Sequence, residues 1–186
     1  FYKESKKYDY QTQFIVMCGL FLGLRKSEIL GLQFKDFDLV NKVVLISRKI
    51  ESASLSVKVG TKAGEYECRT VPIPKECASE FNKVLKALGG SLFVLKGVDR
   101  PFMSPRTLHT KISLVANNLN LKVSSHKLRH TFGREFISSG GSLKLLQSIL
   151  GHSSSSVTDR YSDLDGSHIE GASDSVSYRV KSEAQQ

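Results

Sequence analysis

Apolar positions recur with helical spacing along most of the chain, and one stretch near the front breaks that rhythm. Residues 9–24 (DYQTQFIVMCGLFLGL) are apolar on nearly every side, which predicts a buried helix. Gly23 ends or bends it, and a second helical stretch runs from Arg25 to about Leu32 with Ile29, Leu30 and Leu32 apolar. The pattern then becomes β-like. Residues 43–47 (VVLIS), 55–59 and 68–73 (CRTVPI) predict three short strands bounded by polar turns. Two glycines around one lysine, at Gly60 and Gly64 with Lys62 between, predict a tight hairpin turn with Lys62 near its tip.

Helical spacing then returns. Pro74 opens KECASEFNKVLKAL, and Gly89-Gly90 stops it. A short strand is expected at residues 91–94. Ser104 caps a helix to about Asn118, with Leu108, Ile112 and Val115 inward and Arg106, His109 and Lys111 turned toward water or phosphates. Ser124 or Ser125 caps a helix carrying His126, Arg129 and His130, whose buried stripe is Phe132 and Phe136. Ser142 caps LKLLQSIL, which Gly151 ends, and the serines at 153–156 cap a last helix that holds Tyr161. The expected fold is mainly α with a small three-stranded antiparallel β-sheet near the N-terminal half, an α+β architecture. Residues 1–164 read as one domain. Residues 165–186, rich in Gly, Ser and acids, read as a tail that is flexible or docks on a neighbouring protomer through residues 175–180.

Charge narrows the class of partner. The 186 residues carry 27 basic and 18 acidic side chains, a net +9. From Ser162 onward two basic residues meet five acidic ones, so residues 162–186 carry −3 and residues 1–161 carry +12. A basic body favours a polyanion, most commonly nucleic acid. The three cysteines, Cys18, Cys68 and Cys77, form no C-x-x-C pair and suit a reducing cytosol. The longest apolar run, residues 14–24, is too short to span a bilayer, and no signal peptide is recognisable.

The candidate chemistry sits at both ends of the body. Arg25 and Glu28 lie three apart; as a surface ion pair they are worth under ~1 kcal/mol, but their place directly after a buried helix points them inward. Residues 124–164 add a His-x-x-Arg at His126 and Arg129, a Leu-Gly-His ending at His152, and Tyr161 nine residues later. Such a set can grip a phosphate and attack it with a phenol. A zinc site is the rival: His126 and His130 are four apart, with His152 as a third ligand. Against it, Lys127 stands where H-E-x-x-H requires Glu, and Lys127 and Arg129 repel a cation. A non-catalytic DNA-binding module, in which Tyr161 only packs, is the second rival.

These motifs together resemble the catalytic domain of the tyrosine recombinase (phage integrase) family along nearly the whole chain. GLRKSEILGL resembles its first arginine box, placing the catalytic arginine on Arg25 and the supporting acid on Glu28. VGTKAGEYECRTVPIP resembles its β-hairpin, with the general-acid lysine on Lys62 and Lys58 the poorer match. HKLRHTF supplies His126 and Arg129, and LGHSSSSVTDRY supplies His152 and the nucleophile Tyr161. The resemblance implies a DNA recombinase or integrase that cleaves and rejoins strands through a 3′-phosphotyrosyl link. His126 would take the phenol proton, oriented by Glu28 from behind, while Arg25, Arg129 and His152 donate to non-bridging oxygens. It implies no metal, cofactor or small-molecule substrate. The expected partner is double-stranded DNA, with tetramers on DNA and a monomer alone, in the cytoplasm on the nucleoid of a prokaryotic or virus-infected cell. An N-terminal core-binding domain is expected to be absent from this fragment. Ser162-Asp163 departs from the family, many of whose members carry a histidine two residues after the tyrosine. A type IB topoisomerase or a telomere resolvase would share the same chemistry.

Overall fold

The apolar stretch at residues 9–24 is the axis of the fold. In the computed structural model, which describes residues 1–60 and 68–151, it forms helix α2 (Tyr10–Phe21), after a one-turn helix α1 (Tyr2–Ser5). Asp9 caps α2 by accepting the Thr12 N–H at 2.8 Å. Phe14, Ile15, Val16, Met17 and Cys18 are all fully buried. A helix apolar all round needs neighbours on every side, and α1, α3 (Lys26–Gly31), α4 (Lys75–Leu88), α5 (Pro105–Asn118) and α6 (Ser125–Ser138) supply them. The last described helix is α7 (Leu143–Leu150). The caps fall where the sequence placed them: Ser104, Ser124 and Ser142 each accept an N–H three residues on. Pro74 is a cap residue and α4 starts one residue later, at Lys75.

The sheet differs from the expectation. Instead of one three-stranded sheet built from residues 43–47, 55–59 and 68–73, the described residues form two, one of three strands and one of two. β1 (Phe37–Asp38), β2 (Val43–Ile46) and β5 (Arg69–Pro72) form one antiparallel sheet with β2 in the centre. β3 (Arg48–Ile50) and β4 (Val57–Val59) form a separate hairpin. The chain breaks at Ser47, whose carbonyl accepts the Gly60 N–H at 2.8 Å, so the middle strand pairs with a neighbour the pattern had not marked. The strand expected at residues 91–94 is a single bridge between Gln33 and Phe93. Along β5, Val71 is buried while Thr70 and Pro72 are exposed, and strand alternation puts Arg69 on the same face as Val71. The β2–β5 register pairs Ile46 with Arg69, at the sheet end that meets α7.

Among the described residues no helix is long and apolar enough to cross a membrane. The turn around Lys62, the helix expected to hold Tyr161, His152 and the tail at 165–186 all lie outside the described residues.

Candidate active site

Gly23 sets up the site. It follows α2 at φ +63°, in the left-handed region, and a Cβ there would stand 2.4 Å from Phe132 Cδ1. A bare backbone thus turns sharply against α6 and delivers Arg25 to the start of α3. At that position the Arg25 N–H donates to Glu28 Oε2 at 2.8 Å, the carboxylate half of a capping box. Arg25 Nη1 also donates to Glu28 Oε1 at 3.1 Å.

The pair is not a surface ion pair, because Glu28 is fully buried. Its carboxylate is held mainly by another residue. Arg69, at the start of β5, donates Nη1 to Oε1 at 2.8 Å and Nη2 to Oε2 at 2.9 Å. Arg129 Nη1 lies 4.0 Å from Oε2. Burial works to raise the Glu28 pKa. The hydrogen bonds and charge of Arg69, followed by the Arg25 N–H and charge, outweigh it and hold the carboxyl below the usual range. Glu28 therefore gathers arginines.

The same three guanidinium groups meet the end of α7. Arg69 Nε donates to Ile149 O at 2.6 Å, Arg129 Nη2 to Leu150 O at 2.8 Å, and Arg25 Nη2 to Gly151 O at 2.9 Å. Three consecutive carbonyls at a helix C-terminus, where the peptide dipoles leave partial negative charge, each take one arginine. Arg129 Nη1 closes the arrangement by donating to Gly23 O at 2.7 Å. Gly151 has φ +63°, and a Cβ there would stand 3.0 Å from Arg69 Nη1. Exposure separates the three: the Arg25 side chain is 40% exposed, against 8% for Arg129 and 10% for Arg69. Arg25 thus offers the accessible face of a cluster that carries a surplus of positive charge.

His126 lies at the open start of α6, one turn from Arg129. Its Nε2 is 2.7 Å from Nε2 of His130, with the rings edge to face. At this separation one hydrogen is shared, one ring donating and the other accepting. Two ligands of one tetrahedral zinc would stand about 3.3 Å apart, given Zn–N bonds near 2.0–2.1 Å. No group of three or more metal-ligating side chains occurs among the described residues. Of the other expected contacts, Lys111 is committed to Asp9, while Arg106 and His109 are exposed. The rival lysine, Lys58, has its Nζ 3.9 Å from Glu51.

The structure thus unites Arg25, Glu28 and Arg129, with His126 on the same helix as Arg129; Lys62, His152 and Tyr161 lie outside the described residues. It adds Arg69, to which the sequence reading gave no role. The signal for it was present: a charged side chain on the apolar face of a strand, in register with Val71 and Ile73, requires a buried counter-charge.

Known proteins share this frame. The phage integrase family profile matches residues 1–168. Tyrosine recombinase XerC of Proteus mirabilis is 30% identical over 174 residues, covering 93% of this chain and 53% of that protein. Tyrosine recombinase XerA of Pyrococcus furiosus is 28% identical over 166 residues, covering 87% and 53%. The chain spans about half the length of the curated relatives it matches. Among solved structures, a XerA recombinase crystal structure superposes with TM-score 0.70 at 21% identity, covering 91% of this chain and 56% of that one. The Tn1549 transposon integrase in complex with transposon right end DNA gives 0.69 at 22%, covering 87% and 55%. At these identities the likeness is one of fold, that of the tyrosine recombinase catalytic domain. Since the match runs through nearly all of the chain, including both arginine-bearing segments and the α7 end that joins them, the protein belongs to the phage integrase family.

Proposed function

We propose that this chain is the catalytic domain of a site-specific DNA recombinase or integrase that breaks and rejoins DNA strands through Tyr161. The observation that carries the reading is the convergence of Arg25 and Arg129 on one buried carboxylate and one helix end. Paired N–H donors held in this way suit the non-bridging oxygens of a phosphodiester. Such donors matter most when the phosphorus becomes pentacoordinate and its oxygens gain charge.

In the proposed step the Tyr161 oxygen forms a bond to phosphorus as the bond from phosphorus to the 5′ oxygen breaks. The phenol starts with a pKa near ~10, so its proton passes to His126 during attack. The 5′ oxygen leaves with a proton from Lys62, and His152 adds a donor beside the arginines. The 3′-phosphotyrosyl product keeps the phosphodiester energy, so a 5′-hydroxyl from another strand can reverse the step and complete exchange. Double-stranded DNA is the substrate, and a tetramer on DNA, joined through residues 165–186, is the working assembly in the cytoplasm. Tn1549 integrase and XerH have been solved with DNA, which supports this choice of substrate.

The test uses a nicked suicide substrate with the cognate site, in EDTA, resolved on a denaturing gel. A covalent adduct in the wild type and none in Tyr161→Phe is the expected result. An adduct that persists in Y161F, or that needs a divalent metal, overturns the reading.

A further inference from the structure

Arg69 belongs to none of the groups that would contact phosphate, yet it makes three of the hydrogen bonds on which those groups depend. It grips both oxygens of Glu28 and the carbonyl of Ile149, and Gly151 has no side chain where the Arg69 guanidinium lies. Glu28 in turn fixes Arg25 through its backbone N–H and through Nη1. We propose that Arg69 is a positioning residue for Arg25, acting through Glu28, and that it locks the first arginine segment to the end of α7. The proposal rests on the strand-cleavage reading above.

Several features support it. Arg25 reaches both oxygens of Glu28, but through one backbone N–H and one guanidinium that is 40% exposed; Arg69, 10% exposed, adds a second donor to each oxygen. The bidentate fork from Arg69 fixes the plane of the carboxylate. A lysine at 69 keeps the charge but presents one ammonium, which cannot span both oxygens and Ile149 O in the same geometry. Arg69 also comes from the sheet, so it carries the position of β5 into a cluster whose other arginines, Arg25 and Arg129, come from the start of α3 and from α6. A misplacement of about 1 Å at a reacting group can cost on the order of 10²-fold in rate.

The test is single-turnover cleavage of the nicked substrate at saturating DNA, in wild type, Arg69→Lys, Arg25→Lys and the double variant. Wild-type adduct formation checks the underlying reading: no adduct there overturns that reading and the role of Arg69 with it. With wild-type adduct in hand, the proposal expects R69K to slow the rate constant about 10- to 100-fold with the adduct amplitude retained. A purely structural residue would lower the amplitude, through loss of folded protein, and leave the rate constant alone; that result overturns the proposal. In the R25K background the cost of R69K should shrink to less than a third of its wild-type value, because the two act in series. A cost above that overturns the proposal. Should R69K fail to fold, NMR of the wild type decides. The Arg69 Nε–H signal is expected to stay protected from exchange both free and on DNA, and its loss on DNA overturns the proposal.

Discussion

Glu28 carries its negative charge where no solvent reaches it, and the arginines around it would repel one another without it. Replacing it with glutamine keeps the size and one acceptor oxygen but leaves the guanidinium groups uncompensated in a buried place. Glu28→Gln is expected to lower the unfolding free energy by about 3–5 kcal/mol, the usual cost of breaking a buried pair from one side. Urea unfolding measures it. The pH dependence follows from the lowered pKa of Glu28. A carboxyl whose folded pKa is depressed adds stability that is complete above its unfolded pKa and is lost as pH falls through the folded value. Wild-type stability should therefore drop on acidification through and below the ordinary carboxylate range, with a smaller drop in E28Q. At this scale the sequence was informative about types and less so about partners. It marked Arg25, Glu28 and Arg129, but gave Arg69 nothing. Partner choice depends on which β-strand face meets which helix end, and local spacing does not contain that information.

Helices were the legible elements because each has a chemical start and stop. Ser104, Ser124 and Ser142 open α5, α6 and α7, and Gly89 and Gly151 close α4 and α7. The sheets were less legible for a definite reason. β3 reads Arg48-Lys49-Ile50, with one apolar residue and no alternation to see, and β1 is only two residues long. Both are defined by pairing rather than by pattern. The junction between α2 and α3 shows how tightly elements can depend on one residue. Gly23→Ala puts a β-carbon into left-handed backbone and against the ring of Phe132, which is itself only 3% exposed. The backbone strain costs about 1–3 kcal/mol and the overpacking adds a similar amount. Thermal unfolding should show a lowered midpoint, and single-turnover cleavage should slow as well, since Arg129 bonds to the Gly23 carbonyl. A variant with a reduced midpoint and unchanged cleavage would show that the turn shapes the fold without shaping the site.

At the scale of the whole molecule, charge and connectivity dominate. The basic body is expected to bind DNA through phosphate contacts that release counterions. With four or more such contacts, a plot of log K against log salt should have a slope of about −3.6 or steeper, at about −0.9 per phosphate. Fluorescence anisotropy over a salt series checks this, and a flat line would mean that the surplus charge does not meet DNA. Connectivity has a consequence of another kind. The bonds of the guanidinium cluster join residues far apart in sequence: Arg25 to Gly151, Gly23 to Arg129 and Arg69 to Ile149. A chain leaving the ribosome exposes Arg25 and Arg69 long before α7 exists to receive them. Loops of this length close late, since their entropy must be spent before any contact repays it. The half-made chain therefore carries its basic residues before their positions are fixed. Synthesis itself delays assembly of the arginine cluster until the C-terminal end of α7 has emerged.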